Sequence, residues 1–132
     1  MKTRDRGQGP DGRAGDANPL AFAVSENDRQ TIAMVRAALE TRRLRLAYQP
    51  VMISADTEKI AFFEGLIRVL DGTGRIIPAR DFMDTIETQE LGRQIDCAAL
   101  EMGLETLLRF PEIRLAINMS ARSIGYPRWM ET

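Results

Sequence analysis

Residues 61–70, AFFEGLIRVL, decide how the rest of the chain is read. At the two-residue period of a strand, Ala61, Phe63, Gly65, Ile67 and Val69 form one face. Phe62, Glu64, Leu66, Arg68 and Leu70 form the other. Both faces are mainly apolar, which predicts a strand covered on both sides, as in a parallel α/β sheet. A charge in such a strand is costly unless something compensates it. About 13 Å separates the Glu64 and Arg68 Cα atoms at strand rise, too far for a direct ion pair. Each therefore needs another partner.

Outward from this strand, the chain divides by composition. Residues 1–24 are rich in Gly, Asp, Arg and Pro without apolar period, which predicts a disordered tail. The domain is expected over 25–132. Ser25 with Asp28 resembles a capping box, and Ile32, Val35, Ala38 and Leu39 make a helical stripe, so a helix is expected from Glu26 to Arg42. RLAYQPVMIS reads as a strand whose Pro50 marks an edge or a bulge. The short polar stretch ADTEK then joins it to the 61–70 strand as an antiparallel hairpin, because a parallel pair needs a far longer crossover.

DGTGR is a turn, and Pro78 opens a predicted helix, PARDFMDTIETQ. A second helix is expected from Glu90 to Phe110, stopped by Pro111. IRLAINMS is the third strand candidate, with Asn118 and Ser120 on its polar side. Strand, helical crossover and strand make a parallel unit. Three such strands leave open edges that invite pairing with another chain, and a sheet of this kind normally continues into a barrel or a wider sheet.

Composition excludes several functions. A length of 132 residues suits one small domain, and a net charge of −1 gives no support for DNA or RNA binding by phosphate neutralisation. The chain has no His, which removes His-ligated zinc and His general-base chemistry. Its single cysteine, Cys97, rules out an internal disulfide framework and reads as a small buried hydrophobe. No apolar run approaches a membrane span, and MKTRDRGQGPDGRAGD lacks the apolar core of a signal peptide. A cytoplasmic location is the resulting expectation.

The strand residues carry the chemistry. Polar groups at the C-terminal ends of parallel strands usually line the active site of an α/β barrel. A carboxylate and an amide oxygen, as in Glu64 and Asn118, are hard donors suited to Mg2+ or Mn2+. Arg68 suits a phosphate, which a guanidinium grips bidentately. The same residues also fit a solvated or salt-bridged surface, with Asn118 and Gln49 serving backbone groups nearby.

At these residues the chain resembles a known family. YQPVMI (48–53), FFEGLIRV (62–69) and LAINMSARSI (115–124) stand in the order and at roughly the spacing of the opening half of an EAL domain. IPARDFMDTIETQELGRQID is similar to the family's stretch between them. The family hydrolyses cyclic di-GMP, and its Glu-Ala-Leu signature reads here Glu64-Gly65-Leu66. The resemblance implies a partial, modified (β/α)8 TIM-like barrel whose first strand runs antiparallel to the rest. It also implies that Glu64 and Asn118 coordinate Mg2+ or Mn2+, that Arg68 holds a phosphate of cyclic di-GMP, and that Gln49 and Leu66 contact the nucleotide. These partners would account for the two charges in the strand.

Two departures stand out. Gly65 replaces the signature Ala, read as the loss of a methyl group, and Glu90 stands where the family customarily has Gly. Further carboxylates and a Lys of the family come from later strands, expected after Thr132. The expectation is therefore the N-terminal half of a cyclic di-GMP phosphodiesterase, truncated and inactive alone. Two non-catalytic readings compete with it. In one, the chain pairs its open edge with a second copy or with a partner that completes the barrel. In the other, it binds cyclic di-GMP without hydrolysing it.

Overall fold

The computed structural model describes residues 18–132. Its first helix, α1 (Pro19–Glu40), begins well before the predicted Glu26. The Asn18 side chain accepts the Leu20 N–H at 3.0 Å, and Pro19 takes the first helical position. Together they form an N-terminus that needs nothing from Ser25 or Asp28. The end of the predicted tail is thus helical, and residues 1–17 of it lie outside the described residues. α1 stops before the predicted Arg42 because that residue turns left-handed at φ 54°, which lets Arg43 N–H reach back to the Ala38 carbonyl at 2.8 Å.

The hairpin follows as expected. Strand β1 (Leu44–Ile53) pairs antiparallel with β2 (Asp56–Leu70). The turn is tighter than ADTEK implied, because Asp56 to Lys59 already belong to β2. Pro50 is tolerated because β1 pairs only with β2 among the described residues, and the register shifts just after it, at Val51 and Met52.

The 71–89 region departs most from the sequence reading. Asp71 Oδ1 accepts the N–H groups of Thr73 and Arg75 at 2.8 and 3.0 Å, closing a turn in which Gly74 takes φ 85°. The Thr73 hydroxyl, followed by the Arg75 amide, holds the Asp71 carboxyl below its ordinary value. An unpredicted strand, β3 (Ile76–Ile77), then pairs antiparallel with the end of β2. The continuous helix predicted from Pro78 is broken into a turn at Ala79–Asp81 and a short helix, α2 (Met83–Ile86). Phe82 leaves helical backbone at φ −139° and is buried in the core, a burial that outweighs one or two more helical hydrogen bonds.

Helix α3 (Glu90–Arg109) matches its prediction to within a residue. Strand β4 (Leu115–Ile117) is shorter than IRLAINMS and pairs parallel with β2, Glu64 beside Ala116 and Gly65 beside Ile117. Helix α4 (Pro127–Glu131) ends the chain. The result is a mixed four-stranded sheet centred on β2. Among the described residues no helix is long and apolar enough to cross a membrane.

The core lies on one side of this sheet. Val35 of α1, Val69 of β2, Ile86 of α2 and Ile95 of α3 are all but fully buried there. The opposite face, with Glu64, Leu66 and Arg68, is only half-buried, against the prediction of a strand covered on both sides. Apolar content misled here because Phe62 and Leu66 belong to the open face.

Gly65 is more than an alanine lacking a methyl. A Cβ built on it would lie 2.6 Å from Ile117 Cδ1, and one on Gly103 of α3 would lie 3.0 Å from the same atom. Ile117 thus fills a slot between two glycines and sets how closely α3 packs on the β2–β4 pair. Because the atom met is the flexible end of the Ile117 side chain, Gly65→Ala is expected to lower stability by no more than about 1 kcal/mol. Adding Ile117→Val, which removes that Cδ1, should recover most of the loss, as read from urea-unfolding midpoints.

Candidate functional site

Pairing brings the sequence-predicted residues to one place. β2 and β4 run parallel, with β4 ending beside Gly65 while β2 continues to Leu70, and the antiparallel β1 starts opposite Val69. Directly paired residues project to the same side of a sheet, so Gln49 stands beside Glu64 on the open face. Leu66 and Arg68 follow on that face at alternate positions.

Asn118 follows directly after β4, and its Nδ2 donates to Glu64 Oε1 at 2.8 Å. The two predicted metal ligands therefore touch. Their remaining oxygens, Glu64 Oε2 and Asn118 Oδ1, have no protein donor among the described residues. Arg68 makes one weak contact, from Nη1 to the Ile67 carbonyl at 3.4 Å. No described carboxylate lies within salt-bridge distance of it.

A cleft of about 350 Å3 opens where β4 ends and α3 begins, reaching Arg68 and Asn118 from the helix side but not Glu64 or Gln49. Leu66, Arg68, Asn118 and Ser120 line it, together with Arg93 and Asp96 of α3. As a metal site the donor set is right in kind and incomplete in number. One carboxylate and one amide oxygen fit a hard cation, which takes six oxygens in the case of Mg2+. No group of three or more acidic, His or Cys residues is placed to hold a metal among the described residues. Cys97 adds no chemistry; it is fully buried, and that burial pushes its thiol up.

Sequence reasoning missed the support of this site. Arg93 and Asp96 are both buried, and they meet Ser123, which follows β4 and is fully buried. Arg93 Nε donates to Ser123 Oγ at 2.9 Å, and Nη1 donates to the Glu87 carbonyl at 2.9 Å. Asp96 Oδ2 accepts the Ser120 N–H at 3.0 Å and the Ser123 hydroxyl. The network fastens the segment carrying Asn118 to the start of α3. A signal existed in the helical spacing of Asp96, Ala99 and Gly103, a row of small side chains with one carboxylate. Nothing in the sequence pointed to Ser123 as its partner.

Comparison with known proteins fits this geometry. A family model described as EAL domain matches residues 32–132. The FimX EAL domain from Pseudomonas aeruginosa, solved bound to c-di-GMP, is similar at 26% identity and a TM-score of 0.59, covering 76% of this chain and 42% of that one. Vibrio cholerae LapD S helix-GGDEF-EAL, also bound to c-di-GMP, shares the fold at 21% identity and a TM-score of 0.60, over 79% of this chain and 25% of that one. The EAL enzyme Bd1971, in its cAMP- and cyclic-di-GMP-bound form, shares it at 20% identity and a TM-score of 0.57, over 86% and 34%. The chain therefore spans less than half the length of these structures. No curated protein matches its sequence.

The buried network yields a stability prediction. Asp96→Ala leaves the Arg93 charge buried without its carboxylate, and such a loss costs about 3–5 kcal/mol. Ser123→Ala removes a neutral link and should cost about 1–3 kcal/mol. Urea unfolding of the two variants should rank them in that order.

Proposed function

The chain belongs to the EAL domain family, and on that premise we propose that its open sheet face binds cyclic di-GMP and contributes to metal-dependent hydrolysis of that nucleotide. The observation that carries this reading is the contact of Glu64 with Asn118 on the face that also carries Arg68, which has no carboxylate partner among the described residues. The two oxygen donors stand where β4 ends, and the Arg68 guanidinium follows on the same face about 13 Å along β2. The fold supports a matching architectural proposal, in which β1, β2 and β4 open a (β/α)8-type barrel.

Each residue then has a distinct task. Arg68 holds a phosphate by paired N–H donors, a fixed geometry that a lysine would not supply. Leu66 offers an apolar surface beneath the nucleotide, and Gln49 offers an amide at the level of Glu64. Glu64 Oε2 and Asn118 Oδ1 would hold Mg2+ or Mn2+, and their mutual hydrogen bond fixes which amide atom faces outward. A cation there supplies Lewis-acid polarisation of a phosphoryl oxygen. The other positions of an octahedral shell need further donors, so binding is the part of the function assigned to these residues themselves. This shortfall favours one second reading, a module that binds cyclic di-GMP without turning it over.

Calorimetric titration with cyclic di-GMP, with and without Mn2+, tests the reading, with the linear dinucleotide followed in the same samples. The wild-type chain should bind, and Arg68→Ala should bind about ten- to a hundredfold more weakly, the worth of a charge-assisted hydrogen bond. Glu64→Gln should lose whatever affinity Mn2+ adds and keep the rest. No binding by the wild type, or equal binding by Arg68→Ala, would overturn the proposal. Binding without product selects the non-hydrolytic reading.

A further inference from the structure

The strand register places a second guanidinium at the site. Arg45 of β1 is the direct cross-strand partner of Arg68 of β2. Side chains of directly paired residues share a face, with Cβ atoms about 5 Å apart. The neighbouring pair supports this orientation, since Leu44 and Val69 are both buried on the helix side. Arg45 and Arg68 therefore both project to the open face, at the end of the sheet where β1 starts and β2 finishes.

Like charges directly opposite each other destabilise a strand pair. Among the described residues nothing relieves this pair. Arg45 Nη1 donates to the Leu44 carbonyl at 2.9 Å, and Arg68 Nη1 reaches the Ile67 carbonyl at 3.4 Å. Each guanidinium thus folds back on the residue before it, and most of its five N–H donors remain unused. No described carboxylate lies within 4.0 Å of either. Below the pair, Ala47 stands opposite Leu66, too small to cover the guanidiniums.

We infer that Arg45 is a second phosphate-binding residue, and that Arg45 and Arg68 close on one phosphodiester of the bound dinucleotide from adjacent strands. The inference rests on the proposed cyclic di-GMP site and extends it to β1. An anion between two guanidiniums accepts charge-assisted hydrogen bonds from both and removes their repulsion. The pair is therefore strained in the free protein and relieved in the complex. That gives it a signature that a purely structural arginine lacks.

The test compares Arg45→Gln, Arg45→Lys and Arg68→Ala with the wild type by calorimetric titration of cyclic di-GMP and by thermal unfolding with and without it. Arg45→Gln should weaken binding about tenfold. It should also leave the free protein as stable as the wild type or more stable, since one of two like charges is gone. Arg45→Lys should recover part of the affinity. If the wild type binds and Arg68→Ala fails while Arg45→Gln binds like the wild type, the second phosphate ligand is excluded and the site itself stands. If Arg45→Gln loses both affinity and stability, Arg45 is structural and the inference fails. If the wild type does not bind, the underlying site is wrong and the inference falls with it.

Discussion

Every other strand of the sheet hangs on β2. β1 pairs along most of its length on one edge, while β3 and β4 share the other, and none of the three pairs with anything else among the described residues. One strand therefore has two tasks, divided by the alternation of its side chains. Gly65, Ile67 and Val69 meet the helices, while Glu64, Leu66 and Arg68 meet whatever approaches the open face. A one-residue slip would exchange the two sets. It would drive Glu64 and Arg68 into the helix layer, at a desolvation cost of several kcal/mol per ion. The charges that look anomalous in the sequence thus help to hold the register.

The helix layer adds positional accuracy at one point in particular. Ile117 enters between Gly65 and Gly103, so α3 sits close to the hydrogen-bonded β2–β4 pair. Asn118 is the next residue, and its contact with Glu64 depends on where Ile117 is seated. On its far side, the segment is fastened through Ser120 and Ser123 to Asp96. An apolar wedge before Asn118 and a polar clamp after it fix that residue from both directions. Two constraints flanking a short segment leave a side chain little freedom, which a binding site requires of its ligating groups.

Much of this was legible in the sequence, for identifiable reasons. The hairpin followed from a short connection between two strand patterns, and α3 followed from a long apolar stripe ended by Pro111. β3 was not legible, since a two-residue strand has no period to read. Nor was the break at Phe82, because Phe82 and Ile86 sit at helical spacing and only the core reveals that Phe82 leaves the helix. The start of α1 was hidden by its composition, because Asn18 and Pro19 read as tail until the cap is seen. Glu64, Arg68 and Asn118 drew attention as polar groups on strands, which needs only local information. Arg93, Asp96 and Ser123 matter through contact, and contact between residues so distant in the chain has no local signature.

The charges of the open face are spaced so that each remains available. Glu64 and Arg68 are about 13 Å apart along β2, where their attraction is about 1 kcal/mol at an effective dielectric near 20. At 4 Å the same pair would attract by about 4 kcal/mol, and an incoming ligand would have to break that contact. Physiological salt weakens the longer interaction further, since its screening length is about 8 Å. Between the two charges lies the Ala47–Leu66 pair, which offers neither group a hydrogen bond. Glu64 is held instead by a neutral amide, and Arg68 stands opposite another cation. Neither charge is neutralised among the described residues, so each can act at nearly full strength on a ligand. On the proposed reading, an anion would meet the Arg68 end of this face and a cation the Glu64 end, about 13 Å apart across an apolar floor.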